Sequence, residues 1–112
     1  MNVKNIVIIG SLSQAEDIDK LEQKYKLQSN NVWQPVKQLD KPFELIVKEC
    51  YEKIAAADEV IAVRKRDGTF GEGTTYELIF AIFCHVNIIK IWDPNEEVLF
   101  SPTCLRNLEE DL

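Results

Sequence analysis

Two glycines and two threonines precede a carboxylate in the segment GEGTTYE, residues 71–77, and the apolar run LIFAIFCHV follows at once. A helix that begins here would offer free N–H groups and partial positive charge in its first turn. The glycines would let a ligand approach the backbone closely. A carboxylate in this setting can attack an electron-poor carbon or orient a ligand hydroxyl. Glu77 is therefore a candidate catalytic residue, and the candidates for ligand binding are Gly71, Glu72, Gly73 and Thr74.

The same segment also has a purely structural interpretation. Thr74 and Glu77 have the spacing of a capping box, in which the threonine hydroxyl accepts a hydrogen bond from the backbone N–H of Glu77 and the carboxylate reaches back. Gly71 and Gly73 would then supply only the dihedral angles of a turn. The two interpretations do not exclude each other.

Strands and helices alternate along the chain and must position this segment. Continuous apolar runs predict strands, at about 3–10, 31–36, 58–64 and 87–93, with a short fifth strand at 96–101. Helical spacing predicts helices, at 14–26, from about 42 to 57, at 75–85, and for a final acid-rich turn or two from Pro102. The order indicates an α/β fold: a small open parallel sheet of four to five strands with helices on both faces, flavodoxin-like or Rossmann-like.

Details of the first two helices follow from single residues. Ser13 is placed to cap the first helix, with Glu16 completing a capping box. The second helix has one apolar stripe that predicts its buried face, made by Phe43, Ile46, Val47, Cys50, Ile54 and Ala57. In open α/β sheets, ligands bind outside the carboxyl ends of the strands, near the switch point in strand order. Three segments follow predicted strands there: residues 10–13, 64–74 and 93–95.

Composition excludes several classes of protein. The 112 residues predict one domain, residues 1–112, and a formal net charge of −6 disfavours binding to a nucleic acid polymer. The apolar runs are too short to span a bilayer, and no secretory leader pattern opens the chain. Three widely spaced cysteines and one histidine have no metal-ligand spacing. These features predict a cytoplasmic protein with reduced thiols, without a membrane partner or a metal.

Three stretches together resemble the nucleoside 2-deoxyribosyltransferase family and its relatives, the 2′-deoxynucleoside 5′-phosphate N-hydrolases. IVIIGSLS (6–13) is similar to the opening strand and its Gly/Ser loop, and AAADEVIAV (55–63) to a segment in which an aspartate precedes an apolar strand. GEGTTYELIFA (71–81) is similar to the signature D-x-G-T-x-x-E-I-x-x-A, whose glutamate is the nucleophile. The order and separation of the three stretches also fit.

The resemblance implies a reaction at the N-glycosidic bond, without a cofactor. Glu77 would attack C1′ of a deoxyribosyl group, and a base or water would then accept the sugar. Asp58 corresponds to the family's second carboxylate, which helps the leaving base or orients the sugar, although it also reads as a polar residue that starts a strand. The first loop, with Gly10, Ser11 and Ser13, would bind sugar hydroxyls or a 5′-phosphate.

One departure from the signature supports a second hypothesis. The family aspartate that stands six residues before the glutamate is replaced by Gly71, and Glu72 beside it would aim its side chain elsewhere. The chain would then be either an enzyme or a catalytically inactive module of the same fold that binds a nucleoside or nucleotide.

Two further features bear on ligands and partners. Arg64, Lys65 and Arg66 precede the glycines and would either attract a nucleotide phosphate or form a solvated loop. The helix predicted at 75–85 has no polar face in its first two turns, whereas a helix on one side of a small sheet should have one. This predicts a homodimer that covers the helix.

Overall fold

A computed structural model of the chain describes residues 3–101. Five strands are present: β1 (Asn5–Ile9), β2 (Asn31–Trp33), β3 (Glu59–Val63), β4 (Ile88–Asp93) and β5 (Val98–Phe100). Three α-helices lie between them: α1 (Ala15–Lys26), α2 (Phe43–Ala55) and α3 (Glu72–Phe83). Short 3-10 turns precede α1 and α2, at Leu12–Gln14 and Pro35–Gln38. The helical turns predicted from Pro102 lie outside the described residues.

The predicted α/β fold is confirmed. The strand order is β2-β1-β3-β4-β5, and the first four strands are parallel. β5 pairs antiparallel with β4, so the fifth strand departs from the predicted parallel sheet. The reason is local: Asn95 N–H donates to Asp93 Oδ1 at 2.9 Å, and the turn through Glu97 at φ 53° reverses the chain at once. A parallel fifth strand would need a crossover helix in its place.

Alternating strand residues divide the core into two layers. On one face, Ile8, Ile61 and Val63 pack with Ile18 and other buried residues of α1. On the other face, residues of the same strands pack against α2 and α3, in a cluster of Val7, Ile9, Cys50, Ile54, Val60, Ala62, Leu78 and Ala81. The sheet therefore carries helices on both faces, as β-strand alternation requires when each face is buried.

The apolar stripe of α2 is only half buried. Cys50 and Ile54 lie in the core, but Phe43 is 77% exposed and Val47 is also exposed. The prediction that the whole stripe forms the buried face of α2 is therefore wrong.

A buried carboxylate fixes the chain segment that leads into α2. Glu22 of α1 is 3% exposed and accepts hydrogen bonds from Gln34 and from Lys26, whose Nζ lies 2.6 Å from Glu22 Oε1. Lys37 Nζ lies 3.0 Å from Glu22 Oε2. The segment 34–37 is thus held against α1, on the side of the molecule where β2 ends.

We expect this network to make stability pH-dependent. Burial raises the pKa of Glu22, but the hydrogen bonds from Lys26, Gln34 and Lys37 together outweigh burial and leave it lowered from 4.5. A carboxyl group with a lowered folded pKa stabilises the protein above its unfolded pKa and loses that effect as pH falls through the folded pKa. Glu22→Gln should lower the free energy of unfolding by about 1–2 kcal/mol at neutral pH.

The measurement is urea denaturation of wild type and Glu22→Gln from pH 7 to pH 3. The difference between them should be constant above about pH 5 and should shrink as pH falls below 4.5, the ordinary pKa of the carboxyl group. Glu52→Gln, an exposed residue of α2, is the matched control and should show no such trend. A gap between wild type and Glu22→Gln that stays constant to pH 3 would contradict the assignment.

Candidate active site

A cavity of about 260 Å³ opens at the carboxyl edge of the sheet. β1 and β3 are neighbours in the sheet, yet their following helices, α1 and α3, cover opposite faces, so this edge is the switch point. The cavity wall is almost wholly apolar and comes from four segments, with Gly10, Leu12, Pro35, Val36, Leu39, Phe43, Ile46, Val47, Cys50, Tyr51, Gly73, Tyr76 and Glu77 as its lining residues. A hollow therefore lies at the switch point of the observed strand order, beyond the carboxyl ends of β1 and β3.

Glu77 supplies the carboxylate of this cavity. It lies in the second turn of α3, and Cys50 Sγ of α2 donates a hydrogen bond to its Oε2 at 2.6 Å. Within residues 3–101, Glu77 Oε1 accepts no hydrogen bond, and no other acidic residue lines the cavity. One carboxylate oxygen is thus held, and the other is available to a ligand.

The packing of α2 on α3 partly shields Glu77 from water. The rings of Tyr51 and Phe80 meet edge to face at 4.7 Å and 85°, which brings the two helices together beside the cavity. Burial raises the pKa of Glu77, and the hydrogen bond from Cys50 lowers it by less. Burial, the charge of Glu77 and this hydrogen bond together raise the pKa of the Cys50 thiol, so Cys50 remains a protonated donor.

The helix that carries Glu77 begins earlier than predicted, and the capping box is wrong. Gly71 is the N-cap, no side chain caps the helix, and Thr74 lies buried inside the first turn. Thr75 Oγ1 instead donates to the carbonyl oxygen of Gly71 at 3.0 Å. Because Thr74 is already helical, its hydroxyl cannot take the capping position, and Glu77 is free to face the cavity.

Ser11 and Lys65 converge on this uncapped N-terminus. A Cβ atom built on Gly71 would lie 2.8 Å from Ser11 Oγ and 3.9 Å from Lys65 Nζ. Glycine therefore leaves room for the Ser11 hydroxyl at this point, where a larger residue would require that side chain to move. A hydroxyl, an ammonium group and the free N–H groups of a helix terminus meet at one point next to the cavity, which is a favourable place for an anion.

The two arginines of the basic run are occupied elsewhere. Arg64 lies with its guanidinium 5.0 Å from the ring centre of Phe100 and its Nη1 4.0 Å from Asp93 Oδ2. Arg66 Nη2 donates to Asp17 Oδ1 at 3.0 Å. Of the three basic residues, Lys65 alone is placed beside Gly71.

Asp58 is not brought to Glu77, so the predicted pair of neighbouring carboxylates is wrong. Asp58 precedes β3, and its Oδ2 accepts a hydrogen bond from the N–H of Asn5 at 2.8 Å, at the amino edge of the sheet. The cavity lies at the carboxyl edge, about 16 Å away along a five-residue strand. Asp58 here holds the starts of β1 and β3 together.

The other predicted binding residues separate into three groups. Gly10 and Gly73 line the cavity, and an added Cβ on Gly73 would meet no atom within 4 Å. Glu72 is exposed in the first turn of α3, where Tyr76 Oη lies 3.4 Å from its Oε1. Ser13 is exposed within the 3-10 turn and does not cap α1, because Gln14 precedes the helix as its N-cap.

Sequence reasoning missed most of the cavity wall. It assigned Cys50 to the core and gave no role to Tyr51 or to the 3-10 turn at Pro35–Gln38. The available signal was the apolar stripe of α2, whose residues Phe43, Ile46, Val47 and Cys50 line the cavity. Such a stripe looks the same whether it faces a core or a cavity.

Comparison of the chain with protein-family models, with curated proteins and with solved structures found no match. Among residues 3–101, no helix is both long enough and apolar enough to cross a membrane. In the same range, no group of three or more histidine, cysteine, aspartate or glutamate side chains is arranged to hold a metal ion.

The contact between Cys50 and Glu77 gives a direct prediction. Because the thiol hydrogen bond favours the ionised carboxylate, Cys50→Ala should raise the pKa of Glu77 further, whereas Cys50→Ser should keep a donor and keep the pKa closer to that of wild type. NMR titration of ¹³C-labelled glutamate carboxyl groups measures this pKa. Cys84→Ala, at the end of α3 and outside the cavity, is the matched control. Identical titration of Glu77 in wild type and Cys50→Ala would show that the contact does not exist in solution.

Proposed function

We propose that this chain cleaves the N-glycosidic bond of a deoxynucleoside or its 5′-monophosphate, with Glu77 as nucleophile. One observation carries the proposal: a single carboxylate lies in an apolar cavity at the switch point, with one oxygen held by Cys50 and the other unbonded among the described residues. The resemblance of residues 71–81 to a signature with a glutamate nucleophile supports the same assignment.

The proposed chemistry is a double displacement. Glu77 Oε1 attacks C1′, the C1′–N bond breaks, and its electron pair leaves on the base, which takes a proton from solvent. Water or a second base then attacks C1′, and the bond to Glu77 breaks to restore the carboxylate. The transition state resembles an oxocarbenium ion, which a carboxylate stabilises strongly where water is excluded.

The cavity wall suits the base of such a substrate. Tyr51, Tyr76 and Phe43 provide aromatic faces on which a planar base can stack, and stacking tolerates different bases. A volume of about 260 Å³ is near the lower end of ligand cavities, so it admits a small ring system. The polar end of the substrate would lie towards α3.

A 5′-phosphate would extend from the cavity to the N-terminus of α3. Ser11 Oγ and Lys65 Nζ lie beside Gly71, and the uncapped first turn adds free N–H groups. Of residues 3–101, none that lines the cavity itself is cationic. The charge of a monophosphate would therefore be bound at the rim and the neutral part of the ligand within.

We expect Glu77→Gln to lower the rate of base release by at least about 10³-fold, because an amide cannot act as the nucleophile. Wild type should release free base from deoxynucleosides or their monophosphates, measured by chromatography. Its kcat/KM should rise with pH through the raised pKa of Glu77, since only the ionised form attacks.

Asp58→Asn is the matched control for this experiment. It also removes a carboxylate, but at the opposite edge of the sheet, so it should retain the rate of base release of wild type. Release that survives Glu77→Gln, or that disappears in Asp58→Asn with the fold intact, would refute the assignment of Glu77.

Lys65→Ala tests the proposed phosphate position. It should weaken the binding of a deoxynucleoside monophosphate by about tenfold, because a charge-assisted contact is lost, and should leave the binding of the unphosphorylated nucleoside unchanged. Calorimetric titration of both ligands measures the two effects. Arg66→Ala serves as the control, since Arg66 is paired with Asp17. An equal loss for both ligands would remove Lys65 from phosphate recognition.

A catalytically inactive binding module is the second candidate, and a specific observation favours it. Glu77 is the one acidic residue that lines the cavity within the described chain, and its raised pKa favours the neutral acid, which can donate a hydrogen bond to a base. This candidate predicts thermal stabilisation by nucleosides or nucleotides without release of base. Glu77→Gln, which keeps a donor, would then retain binding.

We also propose that the chain forms a homodimer in the cytoplasm. Tyr76 and Phe83 of α3 are 56% and 61% exposed, and Phe43 of α2 lies exposed at the cavity rim. A second copy placed against α3 would cover such apolar surface, which single soluble chains rarely leave open. The molar mass in solution, measured by sedimentation equilibrium, decides between dimer and monomer.

A further inference from the structure

A second cavity, of about 390 Å³, lies on the opposite face of the sheet from Glu77. It opens at the amino edge, between the end of α1 and the strands β3 and β4. In the part of the chain that the structure describes, the two cavities share no lining residue. Three lysines line it, Lys4, Lys24 and Lys90, together with one acidic residue, Glu59. This is a positive cluster in a chain whose formal net charge is −6.

Glu59 is the unusual member of this cluster. It is 2% exposed, and its Oε1 lies 3.8 Å from Lys4 Nζ, which is too long for a hydrogen bond. Its Oε2 is buried and has no hydrogen-bond partner within residues 3–101. Buried carboxylates are almost always hydrogen-bonded, because an unpaired one loses its hydration without compensation. The cavity therefore offers an acceptor that lacks a donor.

Strand register places these groups together. Ile6 and Ile88 flank Glu59 in one cross-strand row, and Lys90 stands two rows further on, paired with Ile61. Ile6 and Ile61 belong to the core under α1, so Glu59 and Lys90, in register with them, face the same side of the sheet. Burial and the charge of Glu59 raise the pKa of Tyr25, so its hydroxyl remains a protonated donor at the cavity wall.

We propose that this cavity binds a phosphate group that retains a P–O–H, as an inorganic phosphate or a phosphate monoester. The lysines Lys4, Lys24 and Lys90 would neutralise the oxyanion, and Glu59, which can only accept, would take the P–O–H hydrogen bond. Sulfate carries the same charge without a proton at neutral pH, so it would face Glu59 with oxygens alone. The site should therefore select phosphate over sulfate.

Calorimetric titration of the full chain with inorganic phosphate and with sulfate, at pH 6 and equal ionic strength, tests the proposal. Lys65→Ala is the background, because it weakens the anion position proposed beside Gly71. Phosphate should bind at least about tenfold more tightly than sulfate, and adding Lys90→Ala should weaken phosphate by at least about tenfold, whereas the exposed control Lys48→Ala should not. Glycerol 3-phosphate, run in parallel, separates a monoester site from a site for the free ion.

Glu59→Gln tests the selectivity itself. Glutamine can donate to a fully ionised oxyanion, so sulfate binding should increase and the preference for phosphate should disappear. If circular dichroism shows that this variant is unfolded, the pH dependence of ligand binding to wild type tests the same selectivity. The affinity of wild type for glycerol 3-phosphate should fall from pH 6 to pH 8 as the monoester loses its second proton, with a pKa near 6. Inorganic phosphate keeps one P–O–H over this range and should remain bound more tightly than sulfate, whose affinity should stay constant. Equal affinities of wild type for the two ions, or binding unaffected by Lys90→Ala, would overturn the proposal.

Discussion

The contact between the Cys50 thiol and the Glu77 carboxylate is the interaction on which the candidate site depends. It joins α2 to α3 beside the cavity, and it holds one carboxylate oxygen while the other is available to a ligand. Partial burial of this carboxylate disfavours its charged form and so raises the pKa of Glu77. In a more polar and hydrated cavity, the carboxylate would be screened more strongly. Its effect on any charge that develops nearby would then be weaker.

The sheet and its layers could be predicted because their signals are local. Continuous apolar runs such as residues 6–9 and 60–63 are buried on both faces, as a central parallel strand requires. The direction of β5 could not be predicted in this way, since three residues have the same pattern in either direction. The turn that reverses the chain, through Asp93 and Glu97, decided it.

The position of Asp58 shows why the predicted pair of carboxylates does not form. Asp58 and Glu77 flank the same strand, β3: Asp58 precedes it, and Glu77 follows it after a loop and the first turn of α3. The two ends of one strand lie at opposite edges of the sheet. By contrast, Gly10, Gly73 and Glu77 each follow the carboxyl end of a strand, and the structure brings them to one cavity. Candidate residues can meet only when they lie at the same edge of the sheet, whatever their separation along the chain.

Gly71 gives the N-terminus of α3 a different chemistry from that of the signature it resembles. With aspartate at this position, a side chain would occupy the space that Ser11 Oγ takes here, and a carboxylate would lie near Lys65. That carboxylate would pair with the lysine and repel an anionic ligand. With glycine, the hydroxyl, the ammonium group and the free N–H groups of the helix remain together without an internal anion. The absence of an acid at this position thus favours a ligand that brings its own negative charge, and this supports the proposed position of a monophosphate at the rim.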